Sequence, residues 1–429
     1  MKPERNVVIL LAAGTWFPIS ARLALAFLSH GCSVSAICPP GHPLALVPGM
    51  GPLYPYSGLR SLHALHRAIL AAKPDLIVPC DDGVTRQLHM LHATQPHLRP
   101  LIERSLGDPA SYPILDSRDR LLRAAASLGI RTPTTRAIRS ASDLDTWPFP
   151  ATVLKTDGST GGNGVVITNT LPAIRSSFLD LNQPLTAATA LKRFLVNRNP
   201  LALWMWRTHP QPDIIAQQFI SGNSANTMLA CWQGEVLASV TVETLCSQGA
   251  TGAATVVRFL NHPEIQEASR KLARHFKLSG FYGLDFILEP QEDTVLPAAH
   301  LIELNPRCTQ LGHLNLPAQG DLAGILAAKI SGTPLPSSTI DSPIQGDTVA
   351  FYPQALTWNP QSPYITNGYH DIPSQAPALT AELLLEEWPY RQWPARLYHR
   401  FCPPHPPQQN NANNTIDSNQ NQATQLTTP

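Results

Sequence analysis

The first 83 residues alternate between two kinds of apolar pattern, and that alternation limits the folds open to this chain. NVVILLAAG (6–14), SVSAICPP (33–40) and DLIVPCDDG (75–83) carry short continuous apolar runs. ARLALAFLSHG (21–31) and SLHALHRAILAAKP (61–74) place their apolar residues at helical spacing, the former ending at Gly31. Strands that are apolar on both faces must be covered on both faces, and helices between them do this when the strands run parallel. We therefore expect residues 1–112 to form an α/β, doubly wound N-terminal domain. The start MKPERNVVILLAAG has the outline of a signal peptide, but the apolar run is short. A glycine turn and an amphipathic segment follow it, as in a βα unit, so it reads as a strand. The first turn, AAGTWFPIS, lacks GxGxxG spacing and gives no support to a dinucleotide site. Asp81 and Asp82 lie beyond a strand's carboxyl end, where such sheets present a ligand crevice. The favoured reading is that they cap the helix VTRQLHML.

From residue 113 the pattern changes. DSRDRLLRAAASLGIRTPTT reads as a capped helix closed by Gly129. ATVLK (151–155) and GVVIT (164–168) read as two strands joined by TDGSTGGNG. DIIAQQFISG (213–222), TMLACWQGEVLASV (227–240), GLDFILEP (283–290) and HLIELNP (300–306) supply further strands in hairpin-like order. The helix ASRKLARHFKLSG (268–280) lies among them. The expectation over 113–338 is an α+β domain with antiparallel sheets. Residues 339–402 form a proline- and aromatic-rich extension without an assigned role. Residues 403–429 hold almost no apolar side chains and read as disordered.

Net charge is +1 with 14% charged residues, which leaves no electrostatic case for nucleic acid or a membrane surface as partner. No run reaches the ~18–20 apolar residues of a membrane span. The seven cysteines show no CxxC spacing, as expected of reduced thiols in a cytoplasmic protein.

The chemistry concentrates in HLIELNPRCTQ (300–310). Residues two apart in a strand share a face, so Glu303, Asn305 and Arg307 line one surface while Ile302 and Leu304 pack behind. A carboxylate buried there needs a cation opposite it. Asp285, in GLDFIL, sits one short loop upstream, and antiparallel pairing would bring it beside Glu303 and Asn305. Two carboxylates and a carboxamide oxygen are hard ligands suited to Mg²⁺ on nucleotide phosphates; a plain Glu303–Arg307 salt bridge is the simpler alternative. After Lys155, the glycines Gly158, Gly161, Gly162 and Gly164 can let backbone N–H groups approach polyphosphate, although such a hairpin is also an ordinary turn. It lacks the GK[ST] end of a Walker A loop.

Lys155 with its glycine hairpin, AQQFISG, Asp285 after LDF, and ELNPR occur in the order and approximate spacing of the ATP-grasp superfamily, which the chain resembles over about residues 1–335. That family includes biotin carboxylase and the large chain of carbamoyl phosphate synthetase. The resemblance implies an ATP-grasp fold with two lobes clasping ATP, the lid at about 150–215 and a metal-binding core at about 216–338. It implies phosphate contacts from Arg118 and Lys155, a flap at Gly161, Gly162 and Gly164, and a hinge at Gln217, Gln218, Phe219 and Ile220 that meets adenine. It also makes Asp285, Glu303 and Asn305 the Mg²⁺ ligands, and Arg307 the group that holds a phosphorylated intermediate.

Two departures stand out: arginine replaces lysine at 118, and Gln217 and Gln218 stand where an acidic residue is common. The implied activity is a carbon–nitrogen ligase that activates a carboxylate as an acylphosphate for an amine. ATP and Mg²⁺ would be its cofactors, with two ions and Mn²⁺ as a substitute. The alternatives are a phosphotransferase acting on carbamate or another small acceptor, and a nucleotide-binding protein without turnover. The expected partners are small acids and amines, with a homodimer compatible. Arg258 is a further candidate for a substrate carboxylate or a surface ion pair. Cys308, His300 and His313 flank the site and read as structural.

Overall fold

The structure, a computed structural model, describes residues 6–156, 164–209, 211–249, 251–292, 294–316, 320–334 and 346–401. The loop residues 157–163, which include Gly158, Gly161 and Gly162, and the tail 403–429 lie outside the described residues.

Strands β1 (Val8–Ala12), β2 (Ser33–Cys38), β3 (Leu53–Pro55) and β4 (Leu76–Pro79) form a parallel sheet in the order β3-β2-β1-β4. Alternate residues of β1 explain why its run is continuously apolar. Ile9 and Leu11 join a core that includes helix Ile19–Ser29, whereas Leu10 and Ala12 join one built on helices Ser61–Ala72 and Asp82–Thr94. This is the doubly wound arrangement expected. The pattern did not reveal β3, whose three residues end in proline and are partly exposed.

A second sheet contains β5 (Thr135–Ile138), β6 (Thr152–Thr156), β7 (Val165–Thr168) and β8 (Ile214–Gln218), all antiparallel in the order β5-β8-β6-β7. Leu154, Ile214 and Ala216 pack beneath Ile174 and Phe178 of helix Leu171–Leu181. The third sheet is built around β9 (Asn223–Trp232), β10 (Glu235–Ser247), β11 (Ala254–Phe259), β12 (Gly280–Glu289) and β13 (Ala298–Asn305). A two-stranded element, β14 (Asn315–Leu316) with β15 (Gly320–Asp321), follows. Then β16 (Thr348–Phe351) and β17 (Tyr369–Asp371) extend the third sheet to the order β13-β12-β9-β10-β11-β16-β17. Proline- and aromatic-rich residues downstream of 339 thus supply its edge.

The third sheet is apolar on both sides, for two reasons. Leu229, Cys231, Tyr282, Leu284 and Phe286 face helices Arg118–Ser127 and Pro263–Phe276. Met228, Ala230, Val240, Val242 and Phe281 share a core with β1, β2 and helix Leu322–Ser331. Full burial of each large side chain contributes about 1.5–3 kcal/mol, so this shared core holds the third sheet against the parallel sheet. Polar ties reinforce it: Tyr282 Oη donates to the Leu106 carbonyl at 2.5 Å, and Arg22 Nη2 meets Asp371 Oδ1 at 2.5 Å. His313 Nε2 reaches the other Asp371 oxygen at 2.8 Å.

The second and third sheets meet at residues 219–222. Gly222 is required there, because a Cβ at that position would stand 2.1 Å from the Leu288 carbonyl oxygen. Among the described residues, no helix is long and apolar enough to cross a membrane.

Candidate active site

Strand register assembles the site. In the third sheet Asp285 pairs with Glu303 on one side and with Asn226 on the other, so the three side chains emerge on one face. Asn226 Nδ2 donates to Asp285 Oδ1 at 2.6 Å, and Asn305 Nδ2 to Asp285 Oδ2 at 3.0 Å. The cation required opposite Glu303 is Arg118, at the start of helix Arg118–Ser127: its Nη2 lies 2.5 Å from Glu303 Oε1. Arg118 Nη1 also donates to the Thr156 carbonyl, 2.5 Å away at the end of β6. One guanidinium therefore joins the second sheet to the third. The Glu303–Arg307 salt bridge considered from sequence is replaced by this pair. Arg307 donates instead through Nε to Asp82 Oδ1 at 3.0 Å and through Nη2 to Asn305 Oδ1 at 3.2 Å.

The two carboxylates titrate in opposite directions. Burial raises the Asp285 pKa and the adjacent Glu303 charge raises it further, against the two asparagine amides and Lys155. Burial also pushes Glu303 up, but the charges of Arg118 and Lys155 outweigh it and hold its pKa below the usual value. Lys155 is buried at 5% exposure on β6, and its charge acts on both carboxylates. Two adjoining carboxylates of which one resists ionisation form an environment that a divalent cation relieves. Asp285, Glu303 and the Asn305 carboxamide thus fit a hard oxygen-ligated ion. Among the described residues no three His, Cys, Asp or Glu side chains gather to hold a metal, so this fit depends on the carboxamide.

The other expected residues fall as follows. Gly164 has φ +75° and ends the glycine hairpin, while Gly161 and Gly162 lie outside the described residues. The side chains of Gln217 and Gln218 are engaged by the neighbouring strand: Gln217 Nε2 donates to Thr135 Oγ1 at 3.2 Å, and Gln218 Oε1 accepts from the Thr134 N–H at 3.4 Å. Phe219 and Ile220 follow the end of β8 in the link between the two sheets. Arg258 Nε donates to Glu243 Oε1 at 2.6 Å in a cross-strand ion pair.

Burial pushes the Cys308 thiol up to about 12, which suits packing rather than nucleophilic attack. His300 pairs with Glu289 and His313 with Asp371. Asp81 caps its helix by accepting from the Val84 N–H, whereas Asp82 holds Arg307. Sequence reasoning missed Asn226 and the role of Asp82. For Asn226 the only signal is its place in a polar stretch, SGNSANT, whose partner strand no local pattern names.

Residues 184–310 match the family described as ATP-grasp domain. No curated protein matches the sequence. Among solved structures, N5-carboxyaminoimidazole synthase from Aspergillus clavatus, in complex with ADP and 5-aminoimidazole ribonucleotide, is similar. It has 15% identity and a TM-score of 0.56, over 79% of this chain and 80% of that one. N5-carboxyaminoimidazole synthetase from Staphylococcus aureus complexed with ADP has 13% identity and a TM-score of 0.54, over 78% of this chain and 80% of the other. The biotin carboxylase domain dimer of Hydrogenobacter thermophilus 2-oxoglutarate carboxylase, with MgADP, ADP and bicarbonate, has 14% identity and a TM-score of 0.52, over 76% and 70%. At these identities the likeness shows a shared fold.

Proposed function

The chain carries an ATP-grasp domain within an ATP-grasp fold, and from that premise we propose that it is an ATP-dependent ligase. It would activate a small carboxylate as an acylphosphate and pass the acyl group to an amine, releasing ADP and phosphate. The observation that carries this reading is the convergence of Asp285, Glu303 and Asn305 with three cations, Arg118, Lys155 and Arg307, drawn from three parts of the fold.

In such a reaction the substrate carboxylate attacks the γ-phosphorus of ATP, the bond to the β-phosphate oxygen breaks, and ADP leaves. The amine then attacks the acyl carbon and phosphate departs. Neither step calls for a protein nucleophile; both call for positioning and for positive charge around the transferring phosphoryl group. Lys155, at the base of the glycine hairpin, and Arg118 would meet the nucleotide's phosphates. Arg307, oriented by Asp82 and Asn305, would hold the acylphosphate. The Phe219–Ile220 link would receive the adenine edge. Asp285, Glu303 and Asn305 would hold Mg²⁺, which when bound neutralises charge on the phosphates.

The proposal extends to two bound ions, replacement of Mg²⁺ by Mn²⁺ and a cytoplasmic setting. It is tested by incubating the purified protein with MgATP and paired pools of carboxylic acids and amines while following ADP and phosphate. Release that depends on both an acid and an amine supports ligation. ADP formed with one acceptor and no phosphate, or nucleotide binding without ADP in any pool, overturns it.

A further inference from the structure

Arg118 has a geometry that phosphate binding alone does not explain. Its two terminal nitrogens are divided between Glu303 Oε1 and the Thr156 carbonyl, each at 2.5 Å. The guanidinium and the carboxylate are also largely withdrawn from water, with side chains 10% and 20% exposed. The guanidinium on Oε1 already neutralises much of the carboxylate's charge, so a cation approaching either Glu303 oxygen meets a positive charge held beside it. Arg118 is hydrogen-bonded to Glu303, on which the charges of Lys155 and Arg307 also act.

From this contact we propose that Arg118 competes with the metal for Glu303 and thereby makes metal loading depend on nucleotide. Polyphosphate offers the fork a stronger, bidentate anionic partner than one carboxylate oxygen. Bound phosphates draw Arg118 off Glu303, the carboxylate becomes available to the ion, and the Thr156 carbonyl loses its donor at the base of the glycine hairpin. Metal and nucleotide then bind with positive coupling, each favouring the arrangement that the other needs. A lysine at 118 has no fork and cannot hold both oxygens through separate nitrogens, so the effect belongs to the arginine. This inference rests on the metal assignment proposed above.

The test measures Mn²⁺ binding by electron paramagnetic resonance, with and without ADP, for the native protein, R118Q, R118K and the double variant D285N/E303Q. Melting curves check that each is folded. The native protein should bind Mn²⁺ weakly alone and at least about tenfold more tightly with ADP, and R118Q should bind Mn²⁺ alone about tenfold more tightly than the native protein does. R118K should lie between them, and D285N/E303Q should lose the site in every condition. If native protein and ADP hold Mn²⁺ in a manner that needs Asp285 and Glu303 while neither R118Q nor R118K gains affinity, the competition is overturned and the metal site stands. If D285N/E303Q binds as the native protein does, the metal assignment fails and the competition with it.

Discussion

Replacing Glu303 by glutamine separates the site's electrostatics from the fold that holds it. The substitution keeps the side chain's shape and removes its charge. Two effects on stability then oppose each other. Arg118 loses a charge-assisted hydrogen bond at 2.5 Å in a setting only 10% exposed for its own side chain, a loss of about 1–3 kcal/mol. Asp285 loses the like charge that, after burial, raises its pKa, and this returns part of that loss. The net destabilisation should stay near 1 kcal/mol, which in a chain of 429 residues moves the melting temperature by no more than about 3 °C. Turnover should fall by at least about a hundredfold, because a charge directed at the phosphoryl transfer has been removed. Differential scanning calorimetry and a phosphate-release assay on the same preparation measure the two quantities. A variant that melts normally and keeps a third or more of native activity would refute the role given to Glu303, and a collapse in melting temperature would refute the cancellation of charges.

Gly222→Ala should cost more than about 2 kcal/mol by denaturant titration, since the new methyl would stand 2.1 Å from a backbone oxygen that cannot rotate away. Tyr282→Phe should cost about 1–2 kcal/mol by the same measurement, through loss of the bond to the Leu106 carbonyl. Burial pushes the Asp371 carboxyl up, but His313 and Arg22 outweigh this and leave its pKa depressed. Its contribution to stability is therefore present above the usual carboxylate pKa and lost as pH falls through the depressed one, and Asp371→Asn should flatten that acid limb of a stability–pH curve. The His30 pKa is raised, first by its hydrogen bond to Asp321. That contribution is full below the ordinary histidine pKa of about 6.5 and disappears as pH rises through the raised value, so Asp321→Asn should reduce the loss of stability there.

Local order made the types of several elements legible in this chain. The run Ile9–Ala12 could be read as a strand covered on both faces, and β12 and β13 as a hairpin, because a strand's period of two and a helix's of 3.6 are local properties of the chain. Glu303, Asn305 and Asp285 were recognisable for the same reason: alternation placed the first two on one face, and a short loop brought the third back beside them. The need for a cation opposite Glu303 was also legible, since burying a lone carboxylate is costly wherever it occurs.

Which cation met that need was decided by tertiary structure. Arg118 and Glu303 are 185 residues apart, and Arg307 and Asp82 are 225 apart. Arg307 is equally capable of pairing with Glu303 by charge and by distance along the chain, yet Asp82, delivered from the N-terminal sheet, takes it. Asn226 became part of the site through register alone, and β16 and β17 joined the third sheet although their own sequences carry little pattern. Periodicity tells a segment which face to bury; the partner for each polar group depends on how the sheets pack against one another.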